Sequence, residues 1–528
     1  MLDMTSRVWY SLLATFATQT LAQLPNTQEW TTWGINDGQW SDVISRDVCI
    51  IGGGSSGVHA AVQLIDRNKT VAVVERNNRL GGHAETYRDP DSGKPVDYGV
   101  VIFPPIPAVR DFFGRFDIEL LNMSTAGWNE PGEPANGSLP SVGYRSFRRT
   151  SDFRTGTIVE LPETDPSDAL KRMSEILEPY DYILRGPELP NPIPEDLYIP
   201  FGAFIEKYDL GDVVPIWYQF SQGMGDLLHM ATLYAIKYFN RDDIRHISEG
   251  YLTTASGAVA DLFAKAGKFI GHDNLFLEST VITTNRHSNT THTGERELLI
   301  ATKDAGLRLL SCRQVLFTAP PTPENLGGWD LSRDEQEALA GLTGANGYWT
   351  GLVTNVGLNQ STTQWNSAAD TPFHVPVLPA LYALTPTGVL DDVWTVKFGA
   401  NDHGRGMPDA TVRAYVCAEI RRLQRAVGVP ETEPEFLVFS SHTPFMLHAT
   451  GEAVRDGAIT RLAALQGGFG GSMFYSGAAF HTSYSALLWR FNEDEVIPRM
   501  LASDTRKGVA RARQRHELGK GGSTRQMY

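Results

Sequence analysis

The segment IIGGGSSGVHAAVQLIDRNKTVAVVERNNRLGGHAET, residues 50–86, constrains this chain more than any other, because it leaves its backbone bare twice in quick succession. The first cluster, Gly52, Gly54 and Gly57, has GxGxxG spacing. It lies between the apolar run Val48-Cys49-Ile50-Ile51 and the helical-period stretch Val58 to Leu64. That order predicts strand, tight turn, helix. Glycine tolerates backbone angles that a side chain forbids, and bare Cα atoms let a pyrophosphate reach the unpaired N–H groups of a helix start. Ser56 falls in the same turn, and a second apolar strand, Val71 to Val74, ends at Glu75, where an acid can hydrogen-bond a ribose hydroxyl. The second cluster, Arg79-Leu80-Gly81-Gly82-His83-Ala84-Glu85-Thr86, exceeds what a simple NAD-binding unit needs. It points to a dinucleotide with a longer body.

The pattern ExxxRxGGxxxT directly after a dinucleotide turn resembles the flavin-containing amine oxidase superfamily. A third motif strengthens the resemblance: Gly467 to Ser483 leads into YSALLWRF, and YSGAAFHTSYSALLW is similar to the subgroup of fungal flavoenzymes that contains β-cyclopiazonate dehydrogenase. The resemblance implies FAD as cofactor. It implies that Glu75 binds the adenosine ribose, that Arg79, Gly81 and Gly82 line the middle of FAD, that Val281 clasps adenine, and that Phe474, Ser476 and Gly477 meet the flavin end. His83 stands where the family commonly has a second arginine. It reads either as a switchable positive charge beside the cofactor or as a hydrogen-bonding surface residue. His83 and His481 also raise the question of covalent flavin attachment.

The 528 residues carry 46 Lys plus Arg against 61 Asp plus Glu, a formal charge of −15, which argues against a nucleic-acid surface. Arg7 followed by the apolar run Val8 to Ala17 and the small-residue site at Ala22 predicts a signal peptide over 1–22. No stretch predicts a membrane span. Sequons at Asn68, Asn122, Asn136, Asn289 and Asn359 fit N-glycosylation and a secreted or lumenal protein. Of three cysteines, Cys49 sits in the first strand as a small hydrophobe, while Cys312 and Cys417 form one bridge or remain two thiols. No metal-ligand spacing occurs, so no metal is expected.

The expected fold class is α/β: a discontinuous Rossmann-like FAD-binding domain over 46–115, 250–322 and 441–503. An α+β substrate domain over 116–249 and 323–440 is expected to have a sheet floor and a helical roof. Residues 23–45 read as an N-terminal arm and 504–528 as a flexible basic tail. Within this frame Val96 to Phe103 is expected as a strand and Tyr251 to Gly267 as a helix. Trp349 to Val356 and Trp394 to Gly399 are expected as half-buried strands. Residues 120–200, rich in Pro, Gly and Asp, read as a substrate-entry cap or as a glycosylated insertion. The aromatic helices from Phe201 to Ile236 read as plain core or as the wall of an apolar pocket.

The expected chemistry is oxidative desaturation or cyclisation of a bulky, largely apolar small molecule of secondary metabolism, by hydride transfer to flavin N5 and reoxidation by O2. A redox-neutral double-bond isomerase and an amine oxidase are the alternatives. Amine oxidation is disfavoured because the strand that commonly carries the family's flavin-side lysine has Gly351 here, and Lys397 lies on another strand. Trp349 and Phe474 are candidate aromatic walls, and Tyr218, Lys397 and His481 candidate proton carriers, with a purely structural role open for each.

Overall fold

The computed structural model describes residues 43–123, 147–161, 165–287, 295–401 and 406–504. The expected signal peptide, nearly all of the arm and the basic tail, and the sequons at Asn136 and Asn289 lie outside the described residues.

The first apolar run extends to a strand, β1 (Ile44–Ile51), followed by helix α1 (Ser55–Ile65) and strand β2 (Val71–Val74). They belong to a seven-stranded sheet in the order Leu275–Phe276, β2, β1, Gly306–Phe317, Arg296–Thr302, Ser279–Asn285, with Met473–Tyr475 also pairing with Gly306–Phe317. The pairs around β1 are parallel and the two hairpin pairs at the far side antiparallel. Both faces are covered, as a parallel sheet requires. Val48 and Ile50 pack with α1 and with Leu262 and Phe263 of the helix Ala260–Ile270, while Cys49 and Ile51 face the core around Trp217 and Phe239.

A second seven-stranded sheet runs Glu435–Ser441, Gly344–Thr354, Trp394–Ala400, Ala380–Pro386, Thr362–Asn366, Phe147–Ser151, with Phe445–His448 paired to Gly344–Thr354. One face packs Trp349, Leu381, Val396 and Phe398 on Val412, Val416, Ile420 and Leu423 of the helix Asp409–Val427. The other face looks into a cavity roofed by the short helices Val214–Phe220 and Thr232–Tyr238. The long amphipathic helix therefore supports the sheet from behind, and the aromatic helices supply the roof.

Several local expectations change. Val96 to Phe103 is a strand only over Pro95–Asp97, because the chain leaves its hairpin and Phe103 bridges Leu252 instead. Tyr251–Thr254 is a strand paired with Leu120–Met123, and the helix begins only at Ala260. Gly344–Thr354 is buried almost throughout rather than half-buried, because both its faces are covered. The disulfide joins Cys49 to Cys312 across adjacent strands, and Cys417 is the free thiol. The pairing was hidden because the strands are neighbours in space while the two cysteines stand 263 positions apart in the sequence.

Candidate active site

A cavity of about 970 Å³ opens between the two glycine turns of the first sheet and the floor of the second. At its dinucleotide end the two bare segments lie against each other. Gly54 bridges Gly81, and Gly81 donates its N–H to the Gly53 carbonyl at 2.9 Å. A Cβ on Gly57 would fall 2.0 Å from the Gly52 oxygen, and one on Gly82 would fall 3.1 Å from the Gly54 Cα. Helix α1 starts at Gly54 with no side-chain cap, so its first-turn N–H groups are left for an anion. The Glu75 carboxylate accepts from Gly53 N at 2.7 Å and Asn77 N at 2.8 Å, which fixes it at the cavity edge. A cradle that a side chain would fill, ending in unpaired donors and a fixed carboxylate, fits the pyrophosphate and ribose of FAD.

Of the residues anticipated for the cofactor, Gly52, Gly54, Ser56, Gly57, Glu75, Arg79, Gly81, Gly82, His83, Val281 and Gly477 all line this cavity. Ser476 does not. Its hydroxyl bonds Ser56 Oγ at 2.8 Å and donates to Asn492 Oδ1 at 2.6 Å, and Asn492 Nδ2 donates to the Ser56 carbonyl, so the trio clasps α1 to the C-terminal motif. Phe474 lies outside the cavity as well, in the core beneath β1, because it alternates with residues that face the opposite side of its short strand.

The expected catalytic set is mostly displaced. Trp349 points to the rear of its sheet and donates Nε1–H to Asp409 at 3.2 Å. Tyr218 is buried beside Tyr382 in the core, its hydroxyl unpaired. His481 is buried with Nε2 on the Leu184 carbonyl at 3.1 Å. Only Lys397 reaches the cavity. It makes no hydrogen bond or ion pair with any described residue, and burial pulls its ammonium down to about 8. Lys397 sits directly across from Thr350, one position before Gly351, on the strand next to the one where the family commonly has its lysine.

The sequence reading missed a cluster beside the second turn. Glu85 accepts from His442 Nε2 at 2.8 Å, from Ser440 Oγ at 2.9 Å and from Arg79. The His83 ring stacks on His442 at 4.0 Å. Burial pushes the Glu85 carboxyl up, but the hydrogen bond and charge of His442, with Arg79 and Ser440, outweigh it and hold the group below its ordinary value. His83 is exposed towards the cavity it lines, and the desolvating protein around it, with His442 alongside, lowers its proton affinity, which weakens the reading of a positive charge there. Glu85 lay in plain sight within the second glycine motif, whereas nothing in the sequence links it to His442, 357 residues away.

Residues 50–116 match the NAD(P)-binding Rossmann-like domain. The fold is that of the CLA-producing fatty acid isomerase of P. acnes (TM-score 0.64, 17% identity, covering 86% of this chain and 98% of that one). It is also that of putrescine oxidase, in a redesigned triple mutant (TM-score 0.59, 14% identity, 87% and 100%). These likenesses show the fold. Sequence similarity narrows the class. FAD-dependent oxidoreductase oblC of Cochliobolus heterostrophus is 33% identical over 470 residues, 87% of this chain and 92% of that protein. The β-cyclopiazonate dehydrogenase of Aspergillus oryzae is 33% identical over 469 residues, 88% and 94%. The chain belongs to the family of FAD-dependent oxidoreductases that these proteins represent, and FAD is its cofactor.

Proposed function

We propose that this enzyme oxidises a bulky, largely apolar intermediate of secondary metabolism, forming a new double bond or ring, and that O2 regenerates the cofactor. Bound FAD supplies the two-electron acceptor. The protein supplies a pocket whose walls, beyond the glycine turns, are mainly aromatic: Phe220, Tyr238, Tyr348, Trp365, Phe445 and Tyr484. Such rings orient a large apolar body and exclude water. The single observation that carries the reading is Lys397, a lysine without a partner among the described residues, on the cavity face of the sheet floor, with its proton affinity lowered by burial to the range where it can accept and return a proton near neutrality. Glu85 and His442 hold a fixed, hydrogen-bonded wall between the second glycine turn and that floor. The names of the relatives, β-cyclopiazonate dehydrogenase among them, support the substrate class.

Passage through the secretory route belongs to the same proposal. It is supported by the N-terminal pattern, by the exposed sequon residues Asn68, Asn122 and Asn359, and by the disulfide. A lowered mass after glycosidase treatment, and a mature N-terminus after Ala22, check it.

The catalytic test is anaerobic mixing of the yellow enzyme with candidate bulky apolar intermediates of secondary metabolism. Bleaching of the flavin absorbance, then its return with hydrogen peroxide when oxygen is admitted, is the expected result. Turnover with no bleaching and no oxygen uptake refutes it in favour of isomerisation.

A further inference from the structure

The floor of the cavity is a row of directly opposed residues crossing the second sheet: Ser440 faces Thr350, Thr350 faces Lys397, Lys397 faces Ala383, and Ala383 faces Trp365. Side chains directly opposite in a sheet share a face. Ser440 is tied through Glu85 to the second glycine turn, so this end of the row is the cofactor end. At about 4.8 Å per strand, Trp365 stands roughly 19 Å away across the floor. Lys397 lies midway.

At the far end, two residues along its strand from Trp365, Thr363 pairs with Arg148. The Arg148 guanidinium lies over the Trp365 ring, 5.1 Å from its centre, and both residues line the cavity. With its amide oxygen turned towards Arg148, Gln219 accepts from Nη1 and, at 3.0 Å, from Nη2. Gln219 thus takes the end of the guanidinium, and no described residue bonds its side edge, Nε–H with one Nη–H. That edge is the fork that binds a carboxylate through two parallel hydrogen bonds.

Four carboxylates line the same cavity, and each is committed elsewhere. Glu75 is held by Gly53 and Asn77, and Glu85 by His442, Arg79 and Ser440. Asp97 is held by Thr86 and Val259 N, and Asp243 by Asn240 N, Tyr251 and Tyr484. No described carboxylate pairs with Arg148. The side chain is exposed and lines the cavity. The protein around it still strips enough water from the guanidinium, without compensation from any described charge, to lower its proton affinity. A guanidinium stacked on an aromatic ring at the cavity wall, with no described carboxylate beside it, is placed to take an anion.

We propose that Arg148, backed by Trp365 and Gln219, binds an acidic oxygen group of the substrate, a carboxylate or an anion of the same two-oxygen geometry, at the end of the cavity remote from the cofactor. The substrate is then an amphipathic organic acid: its anion is fixed at Arg148, its apolar body lies along Ala383 and the aromatic roof, and its reacting carbon lies on the far side of Lys397. This rests on the oxidoreductase reading above only for the phrase "reacting carbon"; the binding claim stands without turnover.

The test uses the FAD-loaded enzyme and a defined pair of probes, 6-phenylhexanoic acid and 6-phenylhexanamide, with binding followed by calorimetry and by perturbation of the flavin spectrum. The acid is expected to bind at least about tenfold more tightly than the amide, since a bidentate pair with a charged partner contributes at least one factor of ten. Arg148→Gln is expected to abolish that preference while leaving the flavin content and visible spectrum unchanged, and Arg148→Lys to restore part of it. Equal binding of the two probes, binding of neither, or an Arg148→Gln enzyme that keeps its acid preference overturns the proposal. Loss of FAD from Arg148→Gln also overturns it, since it would make this arginine a cofactor ligand. Because no step of the assay requires turnover, failure of the oxidase proposal and failure of this one are read separately.

Discussion

The contact between the two bare turns can be tested with one methyl group. In Gly82→Ala the residue must keep φ near +57°, where an L side chain costs about 1 kcal/mol, and its Cβ meets the Gly54 Cα at 3.1 Å. Relieving that approach requires the turns to part by a few tenths of an ångström, at the place where the helix α1 N–H groups aim at the pyrophosphate. Together the two effects amount to roughly 2–3 kcal/mol, of which the part that moves the donors, about 1.4 kcal/mol, corresponds to a tenfold loss of FAD affinity. Gly93→Ala is the control. Gly93 has φ +71° but nothing within 4 Å of an added methyl, so it bears the backbone cost alone. The assay is the flavin content of the purified protein and the temperature at which heating releases flavin fluorescence. Gly82→Ala should retain less FAD and release it at a lower temperature than Gly93→Ala, which should differ from wild type only by a modest drop in melting temperature. If the two variants load and release FAD alike, the abutting turns do not form the cofactor cradle.

Lys397 gives a pH signature. Its proton is held more weakly in the folded protein (about 8) than in the unfolded chain (10.5), so between these values the unfolded chain binds more protons and stability climbs with pH. Lys397→Met should remove that climb and, at pH 7, stabilise the holoprotein by up to about 3 kcal/mol, read as melting temperature across pH; an unchanged slope refutes the assignment. Tyr218→Phe deletes a buried hydroxyl with no partner among the described residues and should leave kcat unchanged while stabilising the fold by about 1 kcal/mol, whereas a large fall in kcat would return Tyr218 to the chemistry. Alkylation of the denatured, unreduced protein should label one cysteine, Cys417, and reduction should expose two more; three labels without reduction would exclude the Cys49–Cys312 bridge.

Local chemistry made the cofactor end readable. A glycine whose Cβ would strike a carbonyl, as at Gly57, can be nothing else, and the apolar runs around it have the strand and helix periods that bury both faces of a parallel sheet. These constraints act over a few residues, so one stretch of sequence records them, and the same holds for Glu75 at the end of β2 and for Gly477 in the last motif. The substrate end has no such record. Whether Trp349 or Thr350 faces the cavity is a matter of strand phase and of what packs behind, and the helix Asp409–Val427 claims the Trp349 face. Strand pairing sets Lys397 beside Thr350 and brings Cys49 near Cys312, and a side-chain hydrogen bond across the fold joins His442 to Glu85. The residues of this sequence by themselves determined that an elongated dinucleotide is gripped, because backbone sterics are local; only tertiary structure decided which charges line the cavity, because pairing register and burial join residues hundreds of positions apart.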